Sequence, residues 1–199
     1  MIKLIILDFH GVIVTGDYRV VAGQMAREFE MDPKLIYEVL YKYHCQAAVH
    51  KLDEDLIFPL GLKELGIDKD PAVVREQHVV NTSIPNPEVV SYTRELRAKG
   101  ICVIGLSKNV SKVMAENLER SGVVDEFDAV INTYDLNLPK ASQKTMYMMM
   151  DRFGILKPSE VIIVDDQESN LVEPRKMGMH TIYFENFQQM KNEVDVFVV

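Results

Sequence analysis

Five short apolar segments, each followed by a helical pattern, constrain the fold of this chain more than any other feature. The segments are continuously apolar and rich in branched side chains, as is typical of strands buried on both faces of a parallel sheet. They lie at residues 3–7, 101–106, 128–131, 161–164 and 181–184. Strand and helix alternate from residue 87 to the C-terminus, so we predict an α/β fold with a doubly wound, Rossmann-like parallel sheet.

Residues 15–85 interrupt this alternation, because they contain no convincing strand but several amphipathic helix patterns. We interpret them as an inserted α-helical domain. The chain is expected to return to the sheet around residues 83–87, where two prolines disfavour a helix. The predicted core domain therefore comprises residues 1–14 and 86–199.

The composition is that of an ordinary globular protein. Apolar residues make up 47% and charged residues 26% of the 199 residues, which argues against disordered and fibrous chains. No run of 18 apolar residues exists, and the apolar segment before Asp8 is too short for a signal peptide, so we expect a cytoplasmic protein with no membrane partner. The net charge of −8 argues against a nucleic-acid partner, which would require a basic surface.

Polar residues follow the predicted strands at positions that an apolar core would not contain. They are Asp8 after the first strand, Ser107 and Asn109 after the second, Lys140 after the third, and Asp165 and Asp166 after the fourth. Ligands of open α/β sheets bind outside the carboxyl ends of the strands. We therefore expect these side chains to converge on one crevice, although they are far apart in sequence.

The expected crevice contains three carboxylates, one hydroxyl and one ammonium group. Clustered carboxylates repel each other unless a cation lies among them, and a set of oxygen ligands favours Mg²⁺. Ser107 and Lys140 would supply the donor and the positive charge that a phosphoryl group needs. Phosphoryl transfer depends mostly on positioning and charge neutralisation, so these residues favour that chemistry.

Four segments of the chain carry a resemblance to a known family. LDFHG, GLSKN, LPKAS and IVDDQESN, in that order and spacing, resemble the motifs of the haloacid dehalogenase-like superfamily. The run NLVEPRKMGMHTIYF is similar to the one that follows the last motif in members with a helical cap. The resemblance extends from end to end and implies a hydrolase whose cap is the inserted domain at residues 15–85.

The resemblance also implies roles for the residues of the first three motifs. Asp8 would be the nucleophile that forms an aspartyl-phosphate, or an ester if the chain is a dehalogenase. Ser107 and Lys140 would hold the transferred group. Lys108 and Asn109, which follow Ser107 directly, are further candidates for binding the phosphate or the rest of the substrate.

The metal site implied by the resemblance holds Mg²⁺. Its ligands would be Asp8, Asp165 and the backbone carbonyl of His10, while Asp166 would support the metal through water or hold Lys140. Two further residues would support the site without touching the substrate: Gly11, through the tight turn after the strand, and Asn170.

His10 departs from the family pattern, because phosphatases of this family usually carry a second Asp there. That Asp protonates the leaving oxygen and then activates water. An unperturbed His titrates at about 6.5, and a divalent cation nearby disfavours its protonated form. We therefore predict that His10 can assist the attack of water but is a poor acid. Substrates with good leaving groups, such as acyl or aryl phosphates, should be affected least.

Three functions remain open at this stage. The first is an Mg²⁺-dependent hydrolase of a small phosphorylated metabolite, with a cap that closes over the substrate. The second is a weakly catalytic or non-catalytic protein that binds a phosphorylated ligand or a partner protein. In this case the replacement of the usual Asp by His10 would explain the loss of turnover. The third is a metal-independent dehalogenase, in which the acid pair Asp165 and Asp166 would be hard to explain. We expect a monomer or a homodimer.

His44, Cys45 and His50 could suggest a zinc site in the inserted domain. No fourth ligand or zinc-type spacing accompanies them, so we expect side chains that pack or face solvent. A contribution of this cluster to substrate selection stays open.

Overall fold

The computed structural model describes residues 1–15, 17–79 and 84–198. Its strands are β1 (Leu4–Asp8), β2 (Cys102–Ser107), β3 (Ala129–Asn132), β4 (Val161–Asp165) and β5 (His180–Tyr183). They form one parallel sheet in the order β3-β2-β1-β4-β5. The five predicted strands are confirmed, with ends shifted by at most one residue, and so is the Rossmann-like α/β class.

The described residues also contain nine α-helices. They are α1 (Tyr18–Phe29), α2 (Pro33–Ala47), α3 (Ile57–Leu65), α4 (Pro71–His78), α5 (Pro87–Ala98), α6 (Ser111–Ser121), α7 (Gln143–Arg152), α8 (Glu168–Lys176) and α9 (Phe187–Asp195). None of the helices in this part of the chain is long and apolar enough to cross a membrane.

The central strand β1 brings the candidate residues to one edge of the sheet. Every residue of β1 and of β4 is buried, as expected for strands covered on both faces. In the sheet register Asp8 lies opposite Leu106, and Leu7 lies opposite Val164. The strands β1, β2 and β4 therefore end at the same level, each in a polar residue.

The chain divides into two compact units. The sheet unit comprises Met1–Val14, Pro85–Lys108 and Gly122–Val199, and it contains the sheet with α5, α7, α8 and α9. The helical unit comprises Thr15–Ile84 and Asn109–Ser121, and it contains α1 to α4 and α6. Residues 16, 80–83 and 199, which the predicted domain ranges and the re-entry at 83–87 include, lie outside the described residues.

The helix α6 belongs to the helical unit, whereas the predicted core range of 86–199 includes it. This helix follows β2 in the chain but packs within the helical unit. Arg75 on α4 forms two hydrogen bonds to Glu116 on α6, at 3.3 and 2.5 Å, and Arg120 on α6 pairs with Glu76 at 2.9 Å. These ion pairs join α6 to α4, a partner that the alternation of strand and helix does not specify.

Backbone hydrogen bonds mark the return of the chain to the sheet unit. Val14 forms an antiparallel bridge with Pro85, and the N–H of Asn86 donates to the carbonyl of Ile13 at 2.8 Å. The Asn86 side chain then caps α5, where Pro87 occupies the first turn. Proline is tolerated there because the first helical N–H groups have no partner within the helix.

Candidate active site

A buried lysine bridges two carboxylates at the carboxyl edge of the sheet. Lys140 Nζ lies 2.5 Å from Asp8 Oδ1, at the end of β1, and 2.6 Å from Asp165 Oδ2, at the end of β4. The exposed fractions of Lys140, Asp8 and Asp165 are 4%, 6% and 0%. The sheet thus brings Asp8 together with two residues that are more than a hundred positions away from it in the sequence.

Asp165 is fixed by further hydrogen bonds. The Nδ2 of Asn170, in the first turn of α8, donates to both carboxylate oxygens at 2.9 and 3.1 Å. The backbone N–H of Gln167 donates to Oδ1 at 2.9 Å. These donors, together with Lys140, supply hydrogen bonds to both oxygens of a carboxylate that is completely buried. Asn170 therefore supports the site by orienting Asp165.

The three acidic residues form a cluster with the geometry of a metal site. One carboxylate oxygen from each of Asp8, Asp165 and Asp166 lies within 4.8 Å of the others. Three carboxylates with the single ammonium of Lys140 leave surplus negative charge in a buried place. An all-oxygen set with surplus negative charge fits Mg²⁺, which prefers one or two carboxylates completed by water and phosphate oxygens.

Burial and charge act in opposite directions on the nucleophile candidate. The pKa of Asp8 is raised to about 7, because burial and the Asp165 and Asp166 carboxylates, which raise it, outweigh the Lys140 ammonium, which lowers it. Burial also lowers the pKa of Lys140, but the two carboxylates beside it outweigh burial and hold the pKa above its ordinary value. A cation next to Asp8 would favour the ionised carboxylate.

The turn after β1 contains His10 and places Gly11 next to Asp166. Gly11 has a φ of 96°, a conformation that glycine adopts more readily than other residues, and its N–H donates to the carbonyl of Val14 at 2.8 Å. A Cβ added to Gly11 would lie 2.8 Å from Asp166 Oδ2. The His10 ring is half-buried and packs edge-on against Phe9, with the ring centroids 5.0 Å apart.

Replacing Gly11 with alanine should displace Asp166 and strain the turn. We expect Gly11→Ala to lower the free energy of unfolding by about 1–3 kcal/mol and to weaken Mg²⁺ binding. Denaturant unfolding and titration calorimetry would measure the two effects. Gly23→Ala is the matched control, because Gly23 lies in α1 with no heavy atom within 4 Å of its added Cβ. That substitution should be neutral or stabilising by up to about 1 kcal/mol, and an equal loss in both variants would contradict the prediction.

Ser107 ends β2 and is almost completely buried. Its carbonyl accepts hydrogen bonds from the N–H of Thr133 at 2.8 Å and from the Thr133 hydroxyl at 3.0 Å. Thr133 therefore fixes the backbone at the end of β2. Sequence reasoning missed Thr133 and Gln167, and only their positions just after β3 and β4 could have indicated them.

The two residues after Ser107 are placed differently. Lys108 belongs to the sheet unit, and its Nζ donates to Gln167 Oε1 at 3.2 Å. Asn109 belongs to the helical unit, where its Oδ1 accepts from the N–H of Val110 at 2.9 Å. The structure thus connects Lys108, through Gln167, with the residues around Asp165.

The cluster of His44, Cys45 and His50 lies in and just after α2 in the helical unit. His44 is buried, and its ring lies 4.9 Å from that of Tyr18 and 5.9 Å from that of Tyr41, measured between centroids. Cys45 is exposed. The structure therefore shows His44 as part of an aromatic cluster.

Comparisons with known proteins agree with the fold described above. The family of haloacid dehalogenase-like hydrolases matches residues 2–172. No curated protein matches the chain closely enough to count as a relative. Many solved structures share the fold.

Three of these solved structures are a dehalogenase, a family enzyme with bound phosphate and a phosphatase. L-2-haloacid dehalogenase from Xanthobacter autotrophicus, with chloropropionic acid covalently bound, gives a TM-score of 0.69 at 17% identity, covering 100% of this chain and 85% of that one. A haloacid dehalogenase family enzyme from Bacteroides thetaiotaomicron, an aspartate-to-alanine variant with magnesium and inorganic phosphate, gives a TM-score of 0.70 at 15% identity. The match covers 93% of this chain and 95% of that one. A phosphatase of the family from Thermococcus onnurineus gives a TM-score of 0.60 at 19% identity, covering 92% of this chain and 86% of that one. At these low sequence identities the structural similarity shows that the fold is shared and nothing more.

Proposed function

Because the chain belongs to the haloacid dehalogenase-like hydrolases, we propose that it is an Mg²⁺-dependent hydrolase of a small phosphorylated metabolite. The observation that carries this proposal is the cluster of Asp8, Asp165 and half-buried Asp166, with the buried Lys140 between the first two. Such a cluster suits a phosphoryl group together with a divalent cation, since the cation offsets the negative charge of both the carboxylates and the phosphoryl oxygens.

In the proposed reaction Asp8 acts as the nucleophile. Its carboxylate attacks the phosphorus of the substrate, the bond to the leaving oxygen breaks, and an aspartyl-phosphate forms. Water then attacks that phosphorus, which releases inorganic phosphate and regenerates the Asp8 carboxylate. Lys140 and the Ser107 hydroxyl donate hydrogen bonds to the phosphoryl oxygens. Mg²⁺ would be held by Asp8, Asp165 and Asp166 and would neutralise negative charge there.

Two of the similar structures support a phosphatase. The Bacteroides thetaiotaomicron enzyme is complexed with magnesium and inorganic phosphate, and the Thermococcus onnurineus protein is a phosphatase. The acid pair of Asp165 and Asp166 gives this chain a ligand set suited to the same metal. As part of the proposal, the helical unit serves as the cap that selects the substrate.

His10 limits the proposed activity to substrates whose leaving group needs little protonation. We expect His10→Asp to accelerate hydrolysis of sugar phosphates by about 10²-fold, the usual contribution of general acid catalysis. Acyl phosphates should change little, because their leaving group departs without a proton. Steady-state phosphate release from both substrate classes measures the difference, with His10→Asn as the variant that cannot act as an acid. An equal acceleration of both classes would contradict this role.

Phosphate release from acyl, aryl and sugar phosphates, with and without Mg²⁺, tests the proposed function. The expected result is turnover that disappears in a chelator and returns with Mg²⁺, and that is fastest on the acyl phosphates. Undiminished turnover in the chelator would show that the acidic cluster does not hold an essential metal. Binding of phosphate compounds without turnover would favour a weakly catalytic or non-catalytic protein.

A dehalogenase is the second candidate, because the similar structures include L-2-haloacid dehalogenases. The same Asp8 would then displace a halide and form an ester. Halide release from 2-chloropropionate, measured in a chelator, separates the two candidates. Halide release without phosphate release would replace the first proposal with the second.

A further inference from the structure

Lys108 interacts differently from the buried Lys140. Lys140 contacts two carboxylates, whereas Lys108 Nζ donates to the neutral amide oxygen of Gln167 at 3.2 Å. Among the described residues, Lys108 forms no ion pair. The amide carries no charge that would offset that of the ammonium, and the ammonium has two further N–H donors for another group.

The contact between Lys108 and Gln167 crosses the carboxyl end of β1. Lys108 directly follows β2, and Gln167 follows β4 by two residues. These are the two strands that flank β1 in the sheet. Neighbouring strands lie about 4.8 Å apart, so β2 and β4 are separated by about 10 Å. The two side chains therefore span the width of the strand that ends in Asp8.

The burial of these residues separates an inner part of the site from an outer one. Asp8, Ser107, Lys140 and Asp165 are buried, whereas Lys108 is only half-buried. In the proposed function the phosphoryl group lies at the buried residues, because Asp8 attacks it. The rest of the substrate must then extend towards solvent, on the side where the Lys108 ammonium lies.

We infer that Lys108 selects substrates whose leaving group carries a second negative charge, either a carboxylate or a second phosphate. This inference rests on the proposed function and adds the substrate class to it. An ammonium with a neutral partner attracts such a group without first losing an ion pair. Gln167 acts as a positioning residue, because its amide oxygen holds Nζ across the end of β1.

Three alkyl phosphates of equal length test the inference: butyl phosphate, 4-(phosphonooxy)butanoate and butane-1,4-diyl bisphosphate. The native protein should have a lower KM for the second, the third or both, and the favoured ester identifies the anionic group. Lys108→Met should raise the KM of the favoured ester about tenfold, as expected for one lost charge-assisted hydrogen bond. The kcat values, and the KM for butyl phosphate, should stay nearly constant.

Three further variants exclude a general loss of charge or of fold. Lys3→Met removes a lysine next to the opposite end of β1, where Lys3 pairs with Glu160, and should leave the KM values unchanged. Lys108→Arg should retain the preference for the charged ester. Gln167→Glu should weaken the preference although every lysine remains, because it gives Lys108 an ion-pair partner.

Two outcomes would overturn the inference. One is the same KM for charged and uncharged esters in the native protein. The other is an equal effect of Lys108→Met on all three, which would place Lys108 at the transferred phosphoryl group. If the native protein hydrolyses none of these alkyl esters, calorimetry with butylphosphonate and 4-phosphonobutanoate decides about Lys108 separately, and the proposed function fails only if acyl and aryl phosphates are not hydrolysed either. Tighter binding of the carboxylate compound, lost in Lys108→Met, supports the inference; equal or absent binding overturns it.

Discussion

Replacing Asp8 with asparagine is expected to reduce phosphate release at least about 10⁴-fold, because the variant has no carboxylate to form the covalent intermediate. The buried Asp8 side chain differs from asparagine by little volume, so the fold should be retained. Release of inorganic phosphate under saturating Mg²⁺ measures the effect. Asp70→Asn is the matched control, since Asp70 caps α4 and asparagine caps helices equally well. Residual turnover in Asp8→Asn within tenfold of the native rate would exclude Asp8 as the nucleophile.

The same substitution should change how stability depends on pH in the absence of metal. Because the pKa of Asp8 is raised to about 7, the folded protein keeps a proton that the unfolded chain releases at about pH 4. The stabilisation that this proton provides is complete below about pH 4 and is lost as the pH rises through about 7. Asparagine does not titrate, so Asp8→Asn should gain stability relative to the native protein as the pH rises.

Thermal unfolding in a chelator at about pH 5 and about pH 8 measures this linkage. We expect a small difference between Asp8→Asn and the native protein at the lower pH and a larger difference, in favour of the variant, at the higher pH. Mg²⁺ should reverse the order at the higher pH, because only the native site retains all three carboxylates. A difference that is independent of pH would show that Asp8 keeps an ordinary pKa.

The sequence predicts the sheet well because its signals are local. Continuous apolar runs mark buried parallel strands, and polar residues at the ends of those runs mark the site. Asp8, Ser107 and Asp165 could therefore be predicted from the strand ends alone. Parallel strands that begin and end in register must bring their carboxyl ends together, whatever the distance along the chain.

Other features depend on side-chain conformation and on contacts between distant segments, so the sequence does not reveal them. The hydrogen bonds of Asn170 to both oxygens of Asp165, and of Lys108 to Gln167, follow from rotamers chosen in the packed site. The ion pair of Arg75 with Glu116 joins α6 to the helical unit. No local pattern distinguishes that partner from the many other acidic residues of the chain.

The position of Lys140 explains how two buried carboxylates can lie next to each other in the fold. Its ammonium offsets the repulsion between Asp8 and Asp165, each of which lies within 2.6 Å of Nζ. Lys140→Met should therefore leave two buried charges without their cation. Breaking a buried ion pair in this way costs about 3–5 kcal/mol. Denaturant unfolding in a chelator measures the loss, which should grow with pH as Asp8 ionises.

Lys3→Met provides the matched control for this prediction. Lys3 pairs with Glu160 at 2.8 Å, but its side chain is 52% exposed, so solvent screens the pair. Its loss should cost less than about 1 kcal/mol. Equal costs for the two variants would show that Lys140 contributes no more than a surface lysine.

A double-mutant cycle tests whether Lys140 acts through its charge. Asp8→Asn removes one of the two carboxylates, so Lys140→Met should cost less in that background than in the native protein, by about 1–3 kcal/mol. Mg²⁺ should restore part of the stability of Lys140→Met, because the cation takes over the neutralising role of the ammonium. Phosphate release by Lys140→Met should nevertheless stay low, since the metal cannot replace the lysine on the phosphoryl oxygens. Additive costs would mean that Lys140 stabilises the fold through packing of its chain and not through the two carboxylates.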